Sequence, residues 1–308
     1  MKKLVTSLSL IALMCSLQVT LAQDAEKSAD KKAKAETKKV EELKPRFWIF
    51  MGLPGGDKET ADYTEAVDKI YDSANERFGI AEEDIHVLFG KGILKEDSAD
   101  KKNPTDEDYR YKPCNKKTLH AALADIVKKS EDGRPNFIIF MGHATPRDAG
   151  DANFNIAGPD IRASEIGKAL KNAKRTTPMG IIVSTPISQR FFRHLRLRRS
   201  RKAGQKGCRA VIAACEKDEK VNWMEPEFSL ILPELLDEAE SDLNGDGYLT
   251  WTEIFEGMQT RVDKFFETEN YVQTEWPVLD GDANGRGTLA PGRSDKEGGN
   301  RLKLKIHE

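Results

Sequence analysis

One segment of the chain combines the residue types and the spacing that bind calcium. It reads DLNGDGYLTWTE and spans residues 242–253. The segment matches the pattern D-x-[DN]-x-[DN]-G-x5-E, in which oxygen ligands from alternate residues of a tight turn surround a hard cation. The predicted ligands are the side chains of Asp242, Asn244, Asp246 and Glu253 and the backbone carbonyl of Tyr248. We therefore predict an EF-hand-type Ca2+ site that the Glu253 carboxylate closes with both oxygens.

A second acidic loop, residues 280–291, reads DGDANGRGTLAP. Four of its residues stand in register with the first loop: Asp280, Asp282, Asn284 and Gly285. Pro291 stands where the closing glutamate would be, and loss of that bidentate ligand weakens or abolishes binding. The loop is thus either a weakened calcium site, a solvated turn, or a degenerate loop that packs near the first.

Two further residues have side chains suited to catalysis. His143 follows the apolar run FIIFM, and Cys215 ends the apolar run RAVIAAC. A histidine just past the carboxyl end of a parallel strand lies where open α/β sheets place their ligands, and an imidazole can activate a thiol as a nucleophile. The other interpretations are that His143 has a structural role and that Cys215 is a small buried hydrophobic residue.

The elements that would position these residues alternate along the chain. Short, wholly apolar runs predict strands at 47–51, 85–89, 137–141, 180–183 and 209–215. Apolar residues at helical spacing predict helices at 61–78, 119–129 and 163–173, and again on both sides of the calcium loop. Because buried strands joined by helical crossovers form parallel sheets, the predicted fold class is α/β, with a mainly parallel sheet, flanking helices and a helical C-terminal extension.

The order of these motifs resembles that of the caspase and legumain group of cysteine peptidases, over about residues 47–288. It looks most like bacterial, legumain-like members that carry a calcium loop. The resemblance implies a caspase-hemoglobinase fold, in which one strand ends in His-Gly and the next ends in the nucleophilic cysteine, beside backbone N–H groups that form an oxyanion hole. His143 matches the family histidine, and Ala144 replaces the family glycine.

The sequence departs from the family pattern at the nucleophile. The turn Thr185–Ser188 reads TPIS, and Pro186 aligns with the missing thiol to within one residue. In caspases the histidine precedes the cysteine by about 50 residues. Pro186 lies 43 residues after His143 (186 − 143), whereas Cys215 lies 72 residues after it (215 − 143). The resemblance therefore implies an inactive member, with Cys215 on the following strand; Ser188 or Thr185 as a replacement nucleophile stays open.

Three functions fit these observations. The leading prediction is a calcium-binding protein whose pseudo-peptidase domain binds or scaffolds an unknown protein or peptide partner. The alternative is an active, calcium-dependent cysteine endopeptidase that uses His143 and Cys215.

The third function rests on residues 190–209, in which nine of 20 residues are Lys or Arg. Such a density of charge can bind an anionic surface, which would make the protein an adhesion module; the other interpretation is a solvated, protease-sensitive loop. Nucleic acid is not favoured, because the net charge of the whole chain is −2 and the protein is predicted to be exported.

The first 22 residues have the composition of a signal peptide, with Lys2 and Lys3 before an apolar stretch and small residues near Ala22. We predict cleavage after Ala22 and a periplasmic or extracellular protein. A membrane anchor is the weaker alternative, because polar residues interrupt the apolar stretch. No other segment of the sequence is long and apolar enough to span a bilayer.

The predicted boundaries follow from changes in composition. They are a charged, disordered spacer at 23–45, an α/β domain at 46–226, a helical extension at 227–291 and a polar tail at 292–308. Cleavage of the signal peptide leaves Cys114, Cys208 and Cys215, which permit one disulfide or none.

Overall fold

A six-stranded sheet organises the chain. The computed structural model describes residues 44–96, 98, 102, 104–197, 208–215 and 227–307. The predicted signal peptide, nearly all of the predicted spacer and residues 198–207 of the basic stretch lie outside the described residues.

Short strands and helices alternate along much of the chain. The strands are β1 (Arg46–Met51), β2 (Ile85–Phe89), β3 (Ile93–Leu94), β4 (Tyr109–Tyr111), β5 (Asn136–Met141), β6 (Ala144–Pro146), β7 (Ala152–Phe154), β8 (Ile161–Arg162), β9 (Met179–Ser184), β10 (Arg209–Ala213), β11 (Tyr248–Thr250), β12 (Val278–Asp280) and β13 (Lys303–Lys305). The α-helices are α1 (Asp57–Asp72), α2 (Lys116–Lys129), α3 (Ala163–Leu170), α4 (Phe192–Leu195), α5 (Phe228–Asp237), α6 (Trp251–Thr268) and α7 (Arg293–Gly299).

The strand order in the main sheet is β2-β1-β5-β9-β10-β12. The first five strands run parallel to their neighbours, and β12 runs antiparallel to β10 at one edge. The molecule is therefore a mixed α/β protein with a central, mostly parallel sheet flanked by helices, and this level of the predicted fold class is confirmed.

Two apolar cores cover the two faces of the sheet. In β5, Phe137, Ile139 and Met141 join a core with residues of α1, α5 and α6, while Ile138 and Phe140 join a second core with residues of α2, α3 and α4. Because both faces are buried, the strand sequences are continuously apolar rather than alternating. Each fully buried large side chain contributes about 1.5–3 kcal/mol to folding, so the sheet is a rigid support for the loops at its ends.

The C-terminal third packs on the same sheet. Residues Pro45–Glu308 form one compact unit, and β12 is a strand of the main sheet rather than part of a separate extension. The segment predicted to be a polar tail contains α7 and β13. The physical reason is the alternation in its sequence, because Leu302 and Leu304 are fully buried while Lys303 and Lys305 between and beyond them are exposed.

Both outer edges of the sheet are partly covered. On β12, the N–H of Leu279 donates to the carbonyl of Thr288 at 3.0 Å, and the reverse bond has the same length. On β2, the N–H of Phe89 donates to the carbonyl of Lys112 at 2.9 Å.

In the part of the chain that the structure describes, each helix is too short or too polar to cross a membrane.

Candidate functional site

Adjacent strands bring His143 and the turn 185–188 to the same edge of the sheet. Met141 of β5 lies opposite Ser184 of β9, and the N–H of Gly142 extends this ladder by donating to the carbonyl of Ser184 at 3.1 Å. Gly142 has a φ of +112°, which side chains of L-residues disfavour, so the chain changes direction there. His143 follows this bend and is partly exposed.

Backbone hydrogen bonds hold the loops beside His143. The carbonyl of His143 accepts from the N–H of Asn155 at 3.0 Å, and the carbonyl of Asn155 accepts from the N–H of Leu53 at 2.9 Å. Asn155 thus ties the segment after β5 to the segment after β1. Close packing requires a glycine here, because a Cβ at Gly52 would lie 2.4 Å from the Asn155 carbonyl oxygen.

The turn 185–188 has no side chain prepared for nucleophilic attack. Thr185 and Ser188 are fully buried, and Pro186 between them is also buried. The Thr185 hydroxyl donates to the carbonyl of Pro186 at 3.1 Å, and Ser188 Oγ accepts from the N–H of Cys215 at 2.9 Å. Ile187 has a φ of +52°, which is rare for a β-branched residue and gives the turn its sharp form. These contacts disfavour Thr185 and Ser188 as replacement nucleophiles.

Cys215 lies in the apolar interior. It is 3% exposed and packs in the core that contains residues of α1, α5 and α6. Ala213 pairs with Val183 of β9, so β9 lies between the strand of Cys215 and the strand of His143. Two interstrand spacings separate those strands by about 10 Å. Reactive cysteines are partly exposed, so the burial of Cys215 favours its structural interpretation.

The three described cysteines are free thiols, so among the described residues the option without a disulfide holds. Burial raises the pKa of the Cys114 thiol, and burial raises the pKa of Cys208 to about 11. Because the thiolate is the reactive form, these two cysteines have the properties of structural residues.

The sequence gives no local signal for a buried carboxylate at this edge of the sheet. Glu275 is 2% exposed, and its two oxygens accept from the N–H groups of Glu227 and Phe228 at 2.7 and 3.1 Å. It therefore caps the start of α5, where negative charge is favourable. Ser229, the second residue of α5, shares a 2.6 Å hydrogen bond with Ser184 of β9. Helix α5 therefore begins beside the candidate site.

The predicted calcium loop, residues 242–253, folds its polar side chains back onto its own backbone. Asp242 accepts from the N–H groups of Gly245 and Gly247, both at 2.9 Å. Asn244 accepts from the N–H of Asp246 at 2.8 Å, and Asp246 Oδ1 accepts from the N–H of Tyr248 at 3.0 Å. The two glycines have φ values of +67° and +77°, as the sharp turn requires.

Glu253 divides its two oxygens between different environments. Its Oε2 accepts from the N–H and the hydroxyl of Thr250 at 2.8 and 2.7 Å, while Thr250 Oγ1 accepts from the N–H of Glu253, which forms a capping box at the start of α6. Its Oε1 is buried and has no hydrogen-bond partner. Burying an unsatisfied carboxylate oxygen is costly, and a bound cation would satisfy it.

The donor set of the loop fits Ca2+, because all the predicted ligands are oxygens and three are carboxylates. The carboxylates are not gathered into a tight cluster, however. Across the residues that the structure describes, no group of three or more His, Cys, Asp or Glu residues is close enough to hold a metal ion. The fit of the loop to Ca2+ therefore rests on the chemistry of its donor atoms and on Oε1 of Glu253, which has no hydrogen-bond partner.

The second acidic loop is buried at its first residue, whereas Asp282 and Asn284 are exposed. Asp280 is fully buried, and its two oxygens accept from the N–H groups of Asn284 and Gly285 at 2.9 and 2.7 Å. Desolvation raises the pKa of Asp280 to about 7. The carbonyl of Ala283 accepts from the N–H of Leu197 at 2.8 Å, which joins this loop to the end of the described basic stretch.

Two residues of the basic stretch, Arg190 and His194, make contacts within the molecule. Arg190 donates to the carbonyls of Arg147 and Asp151 at 3.0 and 2.9 Å. His194 Nε2 lies 3.2 Å from Asp151 Oδ1. These contacts fasten the segment after the turn 185–188 to the hairpin of β6 and β7, which follows His143.

Arg209 is buried at the other end of the same stretch. It donates to the carbonyls of Leu195 and Leu170 at 2.8 and 3.3 Å, at the carboxyl ends of α4 and α3. Desolvation lowers the pKa of Arg209 to about 10. Helix carboxyl ends favour positive charge, so Arg209 has a structural role and is not available to an anionic surface.

Two solved structures are similar to this chain. Protein GSU0716 from Geobacter sulfurreducens is 11% identical over 86% of this chain and 100% of its own, with a TM-score of 0.45. Caspase-1 from Spodoptera frugiperda is 8% identical over 77% of this chain and 86% of its own, with a TM-score of 0.46. No protein-family model matches the chain, and no curated protein matches its sequence. Neither structural likeness is close enough to show the family, so the chain's own residues have to carry any functional assignment.

Proposed function

We propose that this chain is a calcium-binding protein with a caspase- and legumain-like domain that binds a protein or peptide partner without cleaving it. The observation that carries the proposal is the turn 185–188. It follows the strand next to that of His143, where the resemblance implies a nucleophile, and it carries buried, hydrogen-bonded hydroxyls and no thiol.

The placement of His143 supports the resemblance to this peptidase group. The histidine follows β5, and the candidate nucleophile turn follows the neighbouring parallel strand β9. The carboxyl ends of parallel strands are where open α/β sheets hold ligands. A partner peptide bound at this edge would meet His143, and it would leave intact because, among the described residues, the hydroxyls of the turn 185–188 are buried and the turn has no thiol to attack a carbonyl carbon.

The calcium part of the proposal rests on the loop 242–253. Glu253 presents an unpartnered, buried carboxylate oxygen, and Asp242, Asn244 and Asp246 supply the remaining side-chain oxygens. When bound, Ca2+ would supply a structural crosslink between the loop and α6 rather than a reactive centre. Since α6 packs against the main sheet, the loop would stabilise the domain that holds the partner.

We predict that the purified protein has no amidase activity and is not labelled by a thiol-reactive peptide probe. The N–H of Cys215 donates to Ser188 in the turn 185–188, and the burial of the Cys215 side chain keeps it from such a reagent. The measurement is probe labelling followed by mass spectrometry, together with hydrolysis of a fluorogenic peptide mixture, both with millimolar calcium. An unrelated, active cysteine peptidase serves as the positive control.

The active-peptidase alternative makes the opposite prediction. If the wild-type protein cleaves a peptide and the Cys215→Ala variant does not, Cys215 is the nucleophile and the proposal of a pseudo-peptidase fails. The Cys114→Ala variant is the matched control, because it removes another fully buried thiol. Equal activity in all three proteins would point to Ser188 or Thr185 as the nucleophile or to a contaminating peptidase, and a Ser188→Ala, Thr185→Ala variant would separate the two.

We also propose that the protein is exported and that its mature form begins at Gln23. The support is the arrangement of Lys2, Lys3, the apolar stretch and the small residues before the cleavage point. Expression in a bacterial host followed by amino-terminal sequencing of the secreted or periplasmic fraction tests this. Recovery of a chain that begins at Met1 in the membrane fraction would replace export with anchoring.

A further inference from the structure

The C-terminal strand β13 is paired with the strand of the calcium loop. β11 and β13 run antiparallel, with Leu249 opposite Leu304 and Thr250 opposite Lys303. The N–H of Ile306 donates to the carbonyl of Gly247 at 3.0 Å, beyond one end of the pair. β13 is therefore in contact with the turn of the loop that holds the proposed ligands.

The other end of the pair reaches the helix that carries Glu253. The N–H of Trp251, the first residue of α6, donates to the carbonyl of Leu302 at 3.0 Å. Leu302 and Leu304 are fully buried in the core that α6 shares with the sheet. The backbone of the C-terminal segment is thus fixed on both sides of Lys303, and the position of this lysine relative to the loop is well defined.

Lys303 directs a positive charge at a proposed calcium ligand. Its Nζ lies 4.0 Å from Asp246 Oδ2 and 4.7 Å from the centroid of the Tyr248 ring. Oδ2 is the oxygen of Asp246 that does not accept from the loop backbone, since the bond from the N–H of Tyr248 goes to Oδ1. The ammonium group therefore lies within ion-pair distance of the carboxylate oxygen that remains for a cation.

We propose that Lys303 competes with Ca2+ for Asp246 and thereby lowers the calcium affinity of the loop. The inference rests on the proposed calcium site and adds a residue, distant in sequence, that sets its affinity. The coupling is reciprocal, so calcium binding displaces the lysine side chain from Asp246 to the same extent. The backbone pairing of β13 does not depend on that side chain and persists in both states.

The expected effect is modest, because both side chains are about 40% exposed, at 38% for Lys303 and 42% for Asp246. Ion pairs of this exposure change binding constants by about two- to fivefold. We expect Lys303→Met, which keeps the length of the side chain and removes its charge, to bind calcium about two- to fivefold more tightly than wild type. We expect Lys303→Arg, which keeps the charge, to stay near the wild-type affinity.

The test is titration calorimetry of the full chain with calcium chloride at low ionic strength, on wild type, Lys303→Met and Lys303→Arg. Lys264→Met is the matched control, because Lys264 is exposed on α6 and lies about 16 Å along the helix from Glu253. Repeating the titrations at higher salt should reduce the difference between wild type and Lys303→Met, since salt screens exposed charges. A thermal melt without calcium checks that each variant is folded.

The outcomes separate this inference from the proposed calcium site. Calcium binding by wild type with an unchanged affinity in Lys303→Met would overturn the competition and leave the calcium site intact. No binding heat in any of the folded proteins would remove the calcium site and the inference together. An equal gain in Lys264→Met would attribute the effect to net charge and overturn the specific role of Lys303.

Discussion

Replacing Trp251 with alanine lowers the free energy of unfolding by about 3–5 kcal/mol, the usual cost of removing a buried aromatic side chain. The indole is 1% exposed and stacks on Phe137 with ring centroids 4.9 Å apart. It also lies directly over β9, where a Cβ at Gly180 would be 2.7 Å from the ring. Trp251 is therefore the contact that joins the start of α6 to the centre of the sheet, and chemical denaturation measures its contribution.

Trp276 provides a matched control for this substitution. It is the same residue type, but it is 42% exposed. We expect Trp276→Ala to change the free energy of unfolding by no more than about 0.5 kcal/mol, as is usual for surface positions. Equal, small losses in the two variants would mean that α6 does not pack on the sheet as described.

We expect calcium to raise the melting temperature of the wild-type protein. Extracellular loops of this type bind with dissociation constants of about 10⁻⁴–10⁻³ M, so 10 mM calcium is expected to stabilise the native state by about 1.4–2.7 kcal/mol. Each kcal/mol raises the melting temperature of a domain of this size by about 2–4 °C. Magnesium should be a poor substitute, because it requires a smaller, octahedral shell.

Glu253→Gln should abolish most of this calcium response. The amide oxygen can still accept from Thr250 and cap α6, but the bidentate charge is lost. Asp280→Asn is the matched control, since it neutralises a carboxylate in the loop that has Pro291 in place of the closing glutamate. A calcium shift that persists in Glu253→Gln, or disappears in Asp280→Asn alone, would contradict the assignment of the loop 242–253.

The main sheet was predictable because its strands are buried on both faces. The runs at 47–51, 85–89, 137–141 and 180–183 stand out as continuous apolar segments, and the structure places strands there to within one residue at each end. The sixth strand was not predictable in this way. β12 has only three residues, one of them is Asp280, and Pro277 comes directly before it.

Contacts between distant parts of the sequence explain what else could not be predicted. Glu275 caps α5 by accepting from the N–H groups of Glu227 and Phe228, which precede it by 48 and 47 positions in the sequence. No local sequence pattern marks such a pair. β13 did have a signal, because the leucines in LKLK alternate with lysines as in a half-buried strand. The high charge of the surrounding residues 292–308 obscured that signal, and the contact of Lys303 with Asp246 became visible only in the structure.

The covered edges of the sheet have a consequence for self-association. An open edge strand offers a row of free N–H and C=O groups on which another chain can add a strand, and this is a common route to aggregation. Here Thr288 occupies both backbone groups of Leu279 at one edge, and Lys112 occupies the N–H of Phe89 at the other. A second molecule would have to displace these segments before it could add a strand to the sheet there. The segments therefore hinder aggregation by strand addition at both edges.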